Sequence, residues 1–540
     1  MVRSLPGGWR RHAALFVCLG VALLLGHADA APAARPNFVV IQTDDQNAAT
    51  VRAKFRALDG SYRPVMPNTV RLLLNRGTEF TNHYASSPVC SPSRASLLSG
   101  QYPWNNGVLA NEGPNGGWTG WQRHDIIEHN LPVTLASAGY RTAHFGKFTN
   151  SYFDEVNDRV DTTVPPGWSR WFTTAYMPGT RFYGYRLNVD GRPVGPVGNP
   201  GYRAEGRGTD PAGCDVRRLD RIWPAGPCHY LTDVMTAAAV REIRQEKQRP
   251  FYIQVDYQAP HGDVAAPRGP QPASRHLGTA ARTPVPRQPS FNEADFSDKP
   301  PVIRNAAPRR MGSTEISALG RSYRSYIESL RAVDDGIGAI FQALEQSGRL
   351  SNTYVILTSD HGMFLGEHRF DWGKFLPYED SSSVMTAVRG PGVSRGARSG
   401  ELTANIDIPV TVMDLAGAKP DYPVDGRSME PFWRNPSRKT NRPVAIAIDS
   451  RQTRANASIS ARAPALRYRG FRIGRYKYIR YDDGGEELYD LARDPDEMNN
   501  RFRSPAYSGV LAYMRENLGL VTGCAATTCR EGLKAPPGPG

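Results

Sequence analysis

The chain has 540 residues, 40% hydrophobic and 22% charged, with a formal net charge of +14. That apolar content supplies a sizeable core and excludes global disorder, a coiled coil and a multi-pass membrane protein. The length suggests about two to four domains, or one large α/β domain with an appendage. The positive charge is dispersed, with no block of five Lys or Arg and no nucleic-acid motif, so it fits a soluble basic protein or an anionic substrate rather than nucleic acid.

Arg3, Arg10 and Arg11 precede an apolar run from Ala13 to Gly26, and Ala28-Asp29-Ala30 offers a small-x-small cleavage site. Residues 1–30 therefore read as a signal peptide, and the expectation is a secreted protein without stable membrane insertion. The Arg pair leaves a twin-arginine export route open.

Downstream, NFVVIQT at 37–43 is a short β-branched run that predicts a buried strand. A helix is expected over 67–75, a strand over 78–85, a helix over 91–99, a short helix over 131–138 and a strand over 140–145. An amphipathic helix over 233–248 leads to a strand over 251–257. The longest helical pattern, 321–346, leads to a strand over 353–358. This alternation predicts an α/β domain with a large, mostly parallel sheet flanked by helices, over residues 36–435. Two stretches interrupt it: 150–230, rich in Gly, Tyr, Trp and Arg, and 264–310, which carries nine prolines. Both are expected to be loops or hairpins, and loops this long are usually functional or disordered. Beyond residue 440, closely spaced strands near 444–448, 468–473, 476–481 and 487–491 and a helix over 506–518 predict a smaller C-terminal α+β subdomain, 440–540.

Chemistry concentrates at two strand ends. Asp44 and Asp45 follow the first strand, and Asp360 and His361 follow TYVILTS. Ligands of open α/β sheets bind beyond the carboxyl ends of the strands. Three carboxylates and an imidazole could hold a hard divalent cation. For the Asp pair alone, a capping or turn role is the plainer alternative.

The most specific stretch is CSPSRASLLSG, from Cys90 to Gly100. It resembles the signature of the sulfatase family, in which the cysteine is oxidised to formylglycine (3-oxoalanine) by a formylglycine-generating enzyme. QTDDQ around Asp44-Asp45 and TSDHG at 358–362 resemble the family's two metal motifs. GKF at 146–148, APHGD at 259–263, GEHRFDWGK at 366–374 and LYDLARDPDEMNN at 488–500 follow in the family's order. The resemblance runs from about residue 36 to 503 and is closest in flavour to N-acetylglucosamine-6-sulfatases and arylsulfatase-like bacterial enzymes.

The resemblance implies an alkaline-phosphatase-like fold and hydrolysis of a sulfate monoester, on a sulfated sugar or an aryl alcohol. A thiol would leave a thiosulfate-like adduct with no easy exit. An aldehyde hydrate can attack sulfur with one hydroxyl and expel sulfate with the other. The implied metal is one calcium ion, with magnesium the alternative, held by Asp44, Asp45, Asp360, His361 and the modified Cys90. Arg94, Lys147 and Lys374 would stabilise charge on the sulfuryl group, and His261 would protonate the leaving alcohol. Only nine of the 66 basic residues are lysines, and two fall on these motifs. Asn111, Asn150 and His368 are candidates to line the substrate pocket, against surface roles.

Two positions depart from the family pattern. Thr149 stands where many members carry His, with Asn150 as its candidate substitute. His361 stands where many carry Asn, and either ligates or orients the site. Cys18 leaves with the signal peptide and Cys90 is converted, so Cys214, Cys228, Cys524 and Cys529 remain. The expected bridges are 214–228 and 524–529, with the other two connectivities open. Rival readings are a phosphonate monoester or phosphodiester hydrolase of the same superfamily, and an inactive glycan-binding protein. Specificity is expected in the loops 104–124, 150–230 and 264–310, and Asn456-Ala457-Ser458 is a glycosylation sequon.

Overall fold

The computed structural model of the protein describes residues 35–152, 160–175, 181–198, 208–263, 269–449 and 467–540. The expected signal peptide, the Asn456 sequon and parts of the two long loops lie outside the described residues.

Twelve strands precede residue 405: β1 (Asn37–Thr43), β2 (Lys54–Arg56), β3 (Tyr62–Pro64), β4 (Thr78–Tyr84), β5 (Arg141–Gly146), β6 (Arg170–Ala175), β7 (Tyr185–Val189), β8 (Arg192–Val197), β9 (Phe251–Asp256), β10 (Thr353–Ser359), β11 (Ser383–Arg389) and β12 (Ala397–Ala404). All but the β2–β3 hairpin join one sheet, in the order β12-β4-β11-β10-β1-β9-β5-β6-β7-β8. Its centre, β10-β1-β9-β5, is parallel. Every residue of β1, β9 and β10 is buried, because helices cover both faces.

The two faces can be read off β1. Val39 and Ile41 join a core with the helices Leu231–Gln245 and Ser313–Gln346. Phe38 and Val40 join another with Cys90–Ser99, Leu131–Ser137 and Asp407–Ala416. The alternation follows from the two-residue period of a strand.

Several elements differ from expectation. The long helix begins at Ser313 rather than 321, because Glu315 Oε2 accepts the Gly312 N–H at 2.9 Å and closes its first turn. β11, β12 and the helix Asp407–Ala416 were not expected, since ARSGELTA carries Gly and charge through a strand. The stretch 150–230 yields β6 and a β7–β8 hairpin that extend the main sheet as an antiparallel edge. The proline-rich stretch contains a helix, Pro301–Ala306.

A second, antiparallel sheet runs β13 (Val444–Asp449), β14 (Arg467–Ile473), β15 (Tyr476–Tyr481) and β16 (Glu486–Asp490), with the helix Ser508–Thr522 against it. Its core includes Tyr84, Val89, Phe364 and Tyr378 from the larger part of the chain, so the hydrophobic interior is continuous. Both expected bridges are formed, Cys214–Cys228 and Cys524–Cys529, and Cys90 is a free, buried thiol.

Candidate active site

The site lies at the carboxyl edge of the four central parallel strands. Thr43 and Ser359 are in register, so Asp44-Asp45 and Asp360-His361 leave adjacent strands at the same level. The next strands outward are β9 and β5, which lead to His261 and Lys147. Asp45 has φ 67°, a left-handed conformation that Asp tolerates better than most residues. That turn is pinned by Tyr326 of the long helix, whose hydroxyl donates to the Asp45 carbonyl at 2.6 Å and accepts the Asn47 N–H at 2.8 Å. Gly146 has φ 122°, and a Cβ there would lie 2.0 Å from the Asp256 carbonyl oxygen, so the approach of β5 to β9 before Lys147 requires glycine.

Cys90 opens a wholly buried helix. Its Sγ is 3.2 Å from Lys374 Nζ and 3.5 Å from His361 Nε2. One turn along, Arg94 donates from Nε to Asp360 Oδ2 at 3.1 Å and from Nη1 to the Lys147 carbonyl at 3.0 Å, and its Nη2 lies 3.5 Å from Asp44 Oδ2. Lys147 Nζ donates to Asp44, and Lys374 Nζ to Asp45 Oδ1 at 2.6 Å. Asp360 Oδ1 accepts the N–H groups of Asp45 (3.1 Å) and His361 (2.8 Å). His261 Nε2 is 3.6 Å from Asp45 Oδ2, and its side chain, 19% exposed, is the most open of the set.

Three carboxylates thus face three permanent cations in a buried cluster. Burying so many charges is poor value as stabilisation and marks a functional site. Burial alone would raise the Asp44 carboxyl, but Lys147, His261, Arg94 and Lys374 outweigh it and hold the group well below the usual carboxylate range. Burial would likewise raise the Cys90 thiol, yet Lys147 and Lys374 bring it down to about 6. Burial lowers His361, but Asp360 and Cys90 raise it to about 9.

One atom of each of Asp44, Cys90, Asp360 and His361 lies within 4.8 Å of the others, and the same holds for Asp44, Asp45 and His261. Asp44 Oδ1 is buried with no hydrogen-bond partner among the described residues. An oxygen-rich donor set with an orphaned carboxylate oxygen fits a hard divalent cation.

Asn111 and Asn150 are placed beside the cluster and converge on Ser91. Asn111 Oδ1 accepts the Ser91 N–H at 2.9 Å. Ser91 Oγ donates to Asn150 Oδ1 and accepts the Asn150 N–H, both at 3.0 Å, and also accepts the Thr149 hydroxyl at 2.9 Å. His368 is brought elsewhere: Nδ1 is 2.6 Å from Glu293 Oε2 and the ring stacks on Tyr378 at 4.2 Å, away from Cys90's partners. Sequence reasoning missed Ser91, Tyr326 and Asn405, whose Nδ2 donates to Ser93 O and Oγ at 3.0 Å. Asn405 directly follows β12, so the strand-end rule would have found it had that strand been legible.

Comparison with known proteins agrees with this geometry. The profile of the Sulfatase family matches residues 36–418, and that of the N-sulphoglucosamine sulphohydrolase C-terminal region matches 366–522. The chain is 29% identical over 438 residues to an extracellular sulfatase SULF-1 homolog of Drosophila melanogaster, covering 80% of this chain and 34% of that protein. It is 32% identical over 425 residues to an arylsulfatase of Volvox carteri, covering 74% and 59%. It is 29% identical over 544 residues to human N-acetylglucosamine-6-sulfatase, covering 95% and 88%. The chain thus spans about a third of the fly relative, 59% of the algal one and most of the human one. Among solved structures, it superposes with TM-score 0.67 at 23% identity on a protein in complex with its substrate D-glucosamine-2-N,6-O-disulfate, covering 90% of this chain and 97% of that one. It superposes with TM-score 0.63 at 22% identity on the phosphonate monoester hydrolase of Agrobacterium radiobacter, covering 90% and 95%. These two likenesses establish the fold. With the family profile spanning most of the chain and the buried Cys90–Asp44–Asp360 cluster in place, the protein belongs to the sulfatase family.

Proposed function

We propose that the protein is an exported, calcium-dependent sulfatase that hydrolyses the sulfate monoester of a sulfated sugar, with Cys90 converted to formylglycine. The observation that carries this reading is the position of Cys90, a buried thiol at a helix start, 3.2 Å from Lys374 Nζ and grouped with Asp44, Asp360 and His361. The modified side chain supplies a hydroxyl nucleophile with a built-in route for releasing sulfate. Asp44, Asp45, Asp360, His361 and position 90 would hold a calcium ion, or magnesium in its place, which would supply a Lewis acid there.

The remaining work falls to this chain's own side chains. Lys147, Lys374 and Arg94 present fixed, buried positive charge where a sulfuryl group would sit. Their mutual geometry is set by Asp44, Asp45 and Asp360, so little reorganisation is needed as charge develops. His261, the most open member, is placed to hold a proton for the departing alcohol. Asn111, Thr149 and Asn150 hold Ser91 and thereby the start of the helix that carries position 90.

A sugar sulfate is favoured by two names: the human relative is an N-acetylglucosamine-6-sulfatase, and a structural neighbour binds a disulfated glucosamine. Export is supported by the N-terminal charge and apolar pattern, by two disulfides suited to an oxidising compartment, and by extracellular sulfatases among the relatives. No helix among the described residues is long and apolar enough to cross a membrane.

The test is expression together with a formylglycine-generating enzyme, then assay on an aryl sulfate, N-acetylglucosamine 6-sulfate and a phenyl phosphonate. Sulfate release is expected to exceed phosphonate hydrolysis and to vanish in Cys90→Ala. Undiminished sulfate release by that variant would overturn the mechanism, and preferred phosphonate hydrolysis would overturn the substrate class.

A further inference from the structure

A cavity of about 400 Å³ opens between the segment 103–109 and the strands β13 and β14. Its walls are segments that also build the active site. Ser87 lines it and lies three residues before Cys90, so the two Cα atoms are at most about 11 Å apart along the chain. Leu109 lines it two residues before Asn111, which accepts the Ser91 N–H. The Ala447 N–H donates to the Ser86 carbonyl at 3.0 Å, tying β13 to the same approach to Cys90.

The lining chemistry suits a sugar. Trp104 is half-buried, with one face stacked on Tyr102 at 4.4 Å and 8°. Its Nε1 donates to the Cys524 carbonyl at 3.0 Å, so the ring is fixed before any ligand arrives. Asp425 Oδ2 accepts from the Tyr102 N–H and Asn105 Nδ2, each at 2.8 Å, and its Oδ1 accepts the Ala526 N–H at 2.7 Å. The bridged turn Cys524–Cys529 thus holds the Trp104 wall from behind. A preset aromatic face matches the apolar C–H face of a pyranose, while the polar groups around it match the hydroxyl rim.

The cavity also carries a charge requirement. Arg467 is occupied by Asp449 at 3.4 Å and Asp482 at 3.3 Å. Arg469 is exposed, lines the cavity and has no ion pair among the described residues. A ligand with its own sulfate or carboxylate would complete it.

We propose that this cavity is a second saccharide subsite, which takes an anionic sugar unit adjoining the one whose sulfate faces Cys90. It rests on the sulfatase reading above and deepens it: the substrate is a sulfated oligosaccharide rather than a free monosaccharide or aryl sulfate.

The experiment compares wild type, Trp104→Ala, Trp104→Phe and Arg469→Ala on an aryl sulfate and on a tetrasaccharide ending in N-acetylglucosamine 6-sulfate. The expected result is a KM for the tetrasaccharide raised about tenfold in Trp104→Ala and in Arg469→Ala, largely restored in Trp104→Phe, with aryl sulfate kinetics within about twofold of wild type. Equal changes on both substrates, or no change on either, would overturn the subsite. If wild type cleaves no sulfate ester, the sulfatase reading fails instead, and the subsite is read by calorimetry. Cys90→Ala should bind the tetrasaccharide about tenfold more tightly than Cys90→Ala/Trp104→Ala, and equal affinities would overturn it.

Discussion

Ser91 and Asn150 hold each other by two hydrogen bonds, the Asn150 N–H to Ser91 Oγ and Ser91 Oγ to Asn150 Oδ1, both 3.0 Å. Thr149 adds a third contact, its hydroxyl donating to the same Ser91 oxygen. The Thr149 hydroxyl thus reaches the immediate neighbour of Cys90.

This arrangement separates two roles for Thr149. As a positioning group, Thr149→Val removes one buried hydrogen bond, worth about 1 kcal/mol, and kcat should fall only severalfold. Ser91→Ala strips partners from Thr149 and Asn150 together and should cost more in both Tm and kcat. Complete loss of turnover in Thr149→Val with an unchanged Tm would show instead that the hydroxyl handles a proton.

The cation site can be read without turnover. An ion that binds the folded state alone stabilises it by about 3 kcal/mol at a hundredfold excess over Kd. Calcium added to chelator-treated protein should raise Tm, and Asp44→Asn should remove most of that rise. A calcium-independent Tm in the wild type would rule out the ion there.

His83 sets a pH dependence away from the active site. It is fully buried on β4, with Nδ1 2.9 Å from Thr403 Oγ1 and Nε2 without a hydrogen-bond partner among the described residues. Burial lowers its pKa from 6.5 to about 4, with Asp407 opposing only weakly. The folded state therefore disfavours the imidazolium. Stability is full above pH 6.5, falls as the unfolded chain's histidine takes up a proton below that value, and levels off below about pH 4. Against His83→Gln, wild type should lose about 3 kcal/mol between those limits, measured by denaturation across pH. Parallel pH profiles for the two proteins would contradict this.

Arg442 and Asp407 form a fully buried ion pair in which Nη1 alone donates to Oδ1 at 3.0 Å and Oδ2 at 2.8 Å, and it joins the start of the helix Asp407–Ala416 to the segment before β13. Arg442 Nε also donates to the Cys529 carbonyl at 3.0 Å. Arg442→Met should destabilise the protein by about 3–5 kcal/mol, because Asp407 is left charged and buried. Burial would raise the Asp407 carboxyl, but Arg442 and Arg427 hold it below its ordinary value. The pair's contribution therefore persists above the carboxylate range and is lost only as pH falls through the depressed value. A Tm shift of a degree or two would show that the site relaxes to admit water.

Much of the site was legible because each reacting group sits in a short local string. Asp44-Asp45 and Asp360-His361 follow short β-branched apolar runs that read as buried strands, and the carboxyl ends of adjacent parallel strands converge. Lysine scarcity was a weaker guide. Lys147 and Lys374 are buried in the site, but Lys299 and Lys477 are equally buried in an acidic network around Glu293, Glu379 and Glu497. His368 shows the limit of proximity in sequence. It stands six residues before Lys374, yet positive φ at His368 and Arg369 turns the chain, so His368 meets Glu293 while Lys374 reaches Cys90.

The sequence by itself determined the resemblance to the family, the alternating architecture and most of the residues that gather around Cys90, because period, strand-end position and motif are properties of neighbours along the chain. Among the three possible pairings of the four remaining cysteines, the structure selects Cys214–Cys228 and Cys524–Cys529. Only the tertiary structure decided that Asn111, Thr149 and Asn150 clamp Ser91, that Tyr326 and Asn405 brace the site from remote elements, and that a Trp104-lined cavity adjoins it. Those contacts join residues tens to hundreds of positions apart, and no local pattern marks them, because a hydrogen bond or a stacked ring leaves the same residue types in sequence whether its partner is near or far.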